Sequence, residues 1–121
     1  MKTNRSITRE KAMTILYQIF LYNKNKINYD VDEVINEMIE GLDIEDRKRI
    51  DIEFLTKLIK GVIENINVID ENINKYLTNW NIDRLGLTDQ AITRISVYEL
   101  MYTDTPSLVC INEAIELSKK Y

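Results

Sequence analysis

Apolar residues in the first twenty positions recur at helical spacing. Ala12, Ile15, Leu16, Ile19 and Phe20 fall at i, i+3, i+4, i+7 and i+8, which predicts a helix with one core-facing stripe and Ser6 as its N-cap. At ~100° per residue, Arg9, Met13, Tyr17 and Lys24 run together along one flank of that stripe. Asp30 and Glu33 have capping-box spacing for a second, acidic helix whose apolar positions are Val31, Val34, Ile35, Met38 and Ile39, with Gly41 as its stop. Leu55, Leu58, Ile59, Val62, Ile66, Ile69, Ile73, Tyr76 and Leu77 share one arc and predict a single long third helix, a spacing incompatible with a strand. Gly61 lies inside it at a cost of ~1 kcal/mol against alanine, and close approach of another helix would explain its presence.

A linker with Trp80 follows. Thr88 is then the expected cap of the next helix, with Leu87 and Ile92 as a hydrophobic staple. Ala91, Ile92, Ile95, Val97, Tyr98, Leu100, Met101 and Tyr102 surround most of its circumference, so it is expected to be packed on several sides. Asp104-Thr105-Pro106 interrupts the chain, and Ser107 to Lys120 forms a last helix with Leu108, Ile111, Ile115 and Leu117 as apolar positions. The predicted class is all-α, an irregular multi-helix bundle. A chain of 121 residues suits a single domain spanning residues 1–121.

Composition sharpens this picture mainly by exclusion. The chain has no histidine, which removes His-based acid-base catalysis, Ser/His/Asp and Cys/His nucleophile arrangements and Cys/His zinc sites. Its one cysteine, Cys110, cannot form an internal disulfide, and a reducing cytoplasm is the expected compartment. The apolar run from Ala12 to Tyr22 is broken by Thr14 and Gln18 and followed by Asn23-Lys24-Asn25-Lys26, which argues against a signal peptide. No stretch approaches the ~18 apolar residues of a membrane span.

The net charge of −4 is unevenly spread. Lys2, Arg5, Arg9 and Lys11 against Glu10 make residues 1–12 basic, whereas residues 30–53 hold ten acids against Arg47, Lys48 and Arg49. A pI near 4.9 speaks against tight unaided nucleic-acid binding, because neutralising phosphates takes a substantial basic footprint. Single-stranded RNA is nonetheless held by cations on phosphates combined with stacking rings or guanidiniums. The arm residues Lys2, Arg5 and Arg9, with Tyr17 on the Arg9 flank, are therefore the candidate RNA-binding group, provided that flank lies open. On this reading Arg9→Glu weakens RNA binding and leaves the helical content unchanged. Other constellations have ordinary explanations. Glu113 and Glu116 at i, i+3 read as a solvated face and Cys110 as a small buried apolar residue. Arg94 on an apolar helix calls for an ion pair with Glu99, Glu113 or another acid. Asp89 suits the positive end of its helix and is placed to meet a partner. No metal, cofactor or catalytic site is expected.

Three segments carry a family likeness. Arg94-Ile95-x-x-Tyr98-Glu99-Leu100 and Pro106-x-x-Val109-x-Ile111-Asn112-Glu113-Ala114-Ile115-Glu116-Leu117-x-Lys119 closely resemble the NusB family of transcription antitermination factors. Arg9-Glu10-x-Ala12-x-x-x-Leu16-Tyr17 is similar to that family's amino-terminal motif. The resemblance implies an all-helical, non-enzymatic protein that pairs with the small-ribosomal-subunit protein NusE. The pair would bind boxA-type RNA, chiefly ribosomal, and help a transcription elongation complex pass terminators. It further implies that Arg9, Tyr17 and Tyr76 lie near RNA and that Asp89 faces NusE. Two departures qualify the transfer. Arg5-Ser6-Ile7-Thr8 stands where many members carry a run of arginines, implying lower intrinsic RNA affinity. Many members also continue past the position of Tyr121 into a further helix with a Phe-Val-Asn-Gly-like motif. Without it an exposed apolar surface is expected, with association or instability as the consequence. Two alternatives stay open: a protein-interaction adaptor without RNA binding, and the RNA-binding module of an RNA cytosine methyltransferase.

Overall fold

The computed structural model describes residues 4–76 and 81–121, and among them every regular element is a helix, as the periodicity predicts. The order is α1 (Asn4–Lys24), α2 (Val31–Gly41), α3 (Ile44–Arg49), α4 (Ile52–Glu64), α5 (Ile66–Tyr76), a 3₁₀ turn (Ile82–Arg84), α6 (Leu87–Tyr102) and α7 (Ser107–Lys120). The chain forms two compact units, residues 1–60 and 61–121, with α4 contributing to both. Lys2, Leu77 and Trp80 lie outside the described residues.

In the first unit α1 supplies the core stripe foreseen, with Ala12, Ile15, Leu16 and Ile19 fully buried. Ser6 is not its cap, since the helix is already running at Asn4. Thr8 Oγ1 donates back to the Asn4 carbonyl at 2.6 Å, a bond typical of a helix interior. The other end closes with a Schellman pattern: Lys26 N–H reaches the Asn23 carbonyl, Ile27 N–H reaches that of Tyr22, and Lys26 adopts φ 55. Helix α2 behaves as read, with Asp30 Oδ1 accepting from Glu33 N–H at 3.1 Å and its end at Gly41. Asp43 caps the short α3 in the same manner.

The long third helix is in fact two, α4 and α5, separated by Asn65. Both the backbone N–H and the side-chain Nδ2 of Asn65 donate to the Gly61 carbonyl, closing α4, while the Asn65 carbonyl accepts from Ile69 N–H to begin α5. Periodicity ran through the break because the interruption is one residue long and leaves the apolar spacing intact.

In the second unit, a Cβ on Gly61 would collide with the Tyr98 phenol of α6, which accounts for glycine there. Burial, and after it the nearby Glu64 carboxylate, pushes that phenol's pKa up. Helix α6 starts at Leu87 with Gly86 as N-cap, so Thr88 is not the cap and Leu87 cannot serve as the outer half of a staple. Nor is α6 enclosed all round. Gln90, Ala91, Ile92, Arg94, Ile95, Tyr98 and Glu99 are buried, whereas Leu100, Met101 and Tyr102 are exposed. Arg94 is clamped to α5: its Nε and Nη2 donate to Asp70 Oδ1 and Oδ2, each at 2.8 Å, and Nη1 donates to Gln90 Oε1 at 3.0 Å. The ion pair expected of Arg94 exists, with Asp70 as its bidentate acid. Helix α7 has the predicted bounds, but Cys110 and Leu117 face the core, while Leu108, Ile111 and Ile115 are exposed.

Removing one partner of a buried ion pair strands the other, so Asp70→Ala should lower unfolding free energy by about 3–5 kcal/mol in denaturant titration. Lys26→Gly should act oppositely, adding about 0.5–1 kcal/mol, because glycine adopts the left-handed conformation without Cβ strain.

Candidate nucleic-acid interface

The amino-terminal arginines meet a residue from a distant part of the chain. Ile50, Asp51 and Phe54 enter α4, where Asp51 Oδ1 accepts from Phe54 N–H at 3.0 Å as an N-cap. The Asp51 backbone N–H in turn donates to Thr8 Oγ1 at 3.0 Å, so one hydroxyl ties the second turn of α1 to the start of α4. This places the Phe54 ring against two cations: Arg5 Cζ lies 4.2 Å and Arg9 Cζ 5.3 Å from its centroid. Two guanidiniums one helical turn apart repel, and the negative π face offers each an attraction that offsets it.

Exposure separates the two arginines. Arg5 is exposed, while Arg9 is only 3% exposed and Phe54 5%. Met13, the next residue along the flank, is also buried, and Tyr17 emerges again at 39%. The strip expected to lie open from Arg9 to Tyr17 is therefore covered at Arg9 and Met13 and open at Tyr17, while Arg5, one turn before Arg9, is open as well. At ~1.5 Å rise per residue these open ends stand roughly 18 Å apart along α1, the reach of a few nucleotides. Arg9→Glu, expected from sequence to spare the fold, would instead bury a carboxylate beside an aromatic ring.

Two further candidates, Tyr76 and Asp89, belong to the second unit. Tyr76, at the last turn of α5, is 84% exposed. Asp89 is exposed in the first turn of α6, where the helix dipole favours its charge. Lys2 lies outside the described residues. Among the described residues no group of three or more His, Cys, Asp or Glu side chains is arranged to hold a metal ion, and no helix is long and apolar enough to cross a membrane. Cys110 is buried, with Sγ toward the Thr105 carbonyl at 3.9 Å.

Phe54, Asp51 and Thr8 escaped the sequence reading. A signal was available: Ile50, Phe54, Leu55 and Leu58 continue the apolar spacing of α4 backward, and Asp51 stands three residues before Phe54 as an N-cap should. What sequence could not supply is the pairing across 43 positions that brings Thr8 to Asp51.

Comparison with known proteins places this geometry in context. The model of the NusB family matches residues 6–121. The transcription antitermination protein NusB of Clostridium botulinum (strain Alaska E43 / Type E3) is 39% identical over 119 residues, which is 98% of this chain and 85% of that protein. Among solved structures, NusB of T. maritima superposes with a TM-score of 0.79 at 32% identity, covering 100% of this chain and 80% of the other. A crystal structure of the antitermination factors NusB and NusE in complex with dsRNA superposes at 0.78 with 27% identity, covering 100% and 85%.

The burial difference between the two arginines is directly measurable. Arg9→Glu should cost about 3 kcal/mol or more of stability, whereas Arg5→Glu should change it by less than about 1 kcal/mol, as read by thermal or denaturant unfolding.

Proposed function

The chain belongs to the NusB family of transcription antitermination proteins, and we propose that it binds boxA-type RNA jointly with the ribosomal protein NusE. In this role it supports passage of an elongating RNA polymerase through terminators, chiefly in ribosomal RNA transcription, as a cytoplasmic, non-enzymatic factor. The observation that carries this proposal is the likeness, across the whole of this chain, to a NusB solved with NusE in complex with dsRNA. Because the family match spans both compact units, residues 1–121 are read as one functional domain.

The physical chemistry supports a shared site. A chain of net charge −4 with a handful of amino-terminal cations has little phosphate-neutralising capacity of its own. A basic partner bound to an acidic surface would add the missing charge and raise the encounter rate. Asp89, exposed at an α6 N-terminus, is proposed as part of that partner surface. Arg5 and Tyr17, exposed on α1, are proposed to touch the RNA directly, and Tyr76 and Lys2 are proposed as further RNA contacts. Arg9 is proposed to act from beneath, through the Phe54 ring it shares with Arg5. Stacking by rings and guanidiniums requires unstacked bases, so the RNA is read as single-stranded.

One observation favours a different reading, a protein-interaction adaptor without RNA binding: the burial of Arg9 removes a cation from the surface of an already sparse arm. A single set of measurements separates the two. Binding of boxA-type RNA should be weak for the chain alone, tighten at least tenfold with NusE, and weaken steeply with salt. Arg5→Ala should lower the slope of that salt dependence by about 0.7, the amount due to one phosphate of a single strand left without its cation. NusE binding with no RNA contribution at any salt concentration would establish the adaptor instead, and equal competition by duplex RNA would refute the single-stranded assignment.

A further inference from the structure

We infer that Phe54 is a positioning residue for RNA binding: its buried ring holds the guanidinium of Arg5 in the orientation from which Arg5 meets the RNA. The inference rests on the proposed RNA-binding role of Arg5 and adds to it a residue that does not itself reach the ligand.

Three observations converge. The ring is nearly inaccessible, so it cannot stack on a base, and its route to any ligand runs through the cations on it. It is also fixed from behind. Phe54 N–H is held by the Asp51 carboxylate, and Asp51 N–H is held by Thr8, which sits on α1 between Arg5 and Arg9. The path from Arg5 through Phe54, Asp51 and Thr8 thus returns to the helix that carries Arg5, and the backbone that carries the ring cannot shift without breaking a cap. Finally, the two arginines are not equivalent. Arg9 is enclosed beside the ring, while Arg5 lies 4.2 Å from the same centroid and remains exposed.

An arginine on the first turns of a surface helix ordinarily samples many rotamers, and gripping a ligand costs it that freedom. A guanidinium already resting on an aromatic face has given up much of it before RNA arrives. Few cations are present in the amino-terminal arm, so the pre-organisation of each one matters more. The planar group is also suited to this arrangement in a way lysine is not: with one face toward the ring it keeps its edge donors for phosphate oxygens, or its other face for a base.

The test is a double-mutant cycle, with boxA-type RNA binding measured in the presence of NusE and folding monitored by circular dichroism and thermal unfolding. Arg5→Ala and Phe54→Leu should each weaken RNA binding about three- to tenfold. Phe54→Leu should have no further effect once Arg5 is alanine. Phe54→Tyr, which keeps the ring, should restore wild-type affinity, and Arg5→Lys, which keeps the charge, should not. Should Phe54→Leu fail to fold, Phe54→Met fills the same space without a π face. An equal loss of affinity from the Phe54 substitution in both Arg5 backgrounds would show a merely structural role and overturn the inference, leaving the RNA role of Arg5 intact. No effect of Arg5→Ala would instead overturn the proposed RNA-binding role of Arg5 itself.

Discussion

Much of the amino-terminal unit depends on one hydroxyl group with two duties. Thr8 Oγ1 donates to its own helix at the Asn4 carbonyl and accepts from the backbone of Asp51, at the mouth of α4. Asp51 is thereby held where its carboxylate can cap α4, and the capped turn sets the Phe54 ring beneath the arginines of α1. A hydroxyl can do this because it is at once a donor and an acceptor. Fully buried, it has no water to take over either bond, so the loss of one would leave a polar group unsatisfied. Through this junction a local feature of helix capping becomes a feature of the surface, since it sets the ring that the exposed Arg5 shares with the buried Arg9.

The three arginines that figure most in the structure show how environment assigns roles to one side-chain type. Arg94 is enclosed and forked onto Asp70, with Gln90 accepting a third bond, and serves to join α6 to α5. Arg9 is enclosed beside an aromatic ring. Arg5 shares that ring and keeps its access to solvent. Sequence position alone ranks Arg5 and Arg9 as equals in a basic arm. Burial separates them, and with them the part of the charge that can meet a phosphate from the part that cannot.

The helical class and the bounds of α2 and α7 were legible because they follow from periodicity and short-range capping, both of which are local. That Gly61 makes room for a neighbour was legible too, but the neighbour is the Tyr98 ring and not the closely approaching helix that was expected. The failures share a cause. Ser6 and Thr88 are good capping residues that lie one or two positions inside helices begun by other means, and Asn65 ends α4 with side-chain bonds that leave the apolar spacing undisturbed. The exposed flank of α7 misled for a related reason: Leu108, Ile111 and Ile115 have core spacing, but Cys110 and Leu117 fill the core. For the candidate site, the cations and Tyr17 could be found by residue type, whereas Phe54 could not be assigned to them without knowing that residues 8 and 51 meet. Pairings of that length are set by the whole fold and leave little trace in local pattern.

The absence of a side chain at Gly61 has an outcome beyond this one molecule. The Tyr98 ring occupies the volume that any larger residue at position 61 would require, and its phenol is enclosed on that side. The two positions are therefore not free to drift independently over evolutionary time. A lineage that gains a methyl group at the first must trim the ring at the second, and its viable descendants should carry both changes or neither.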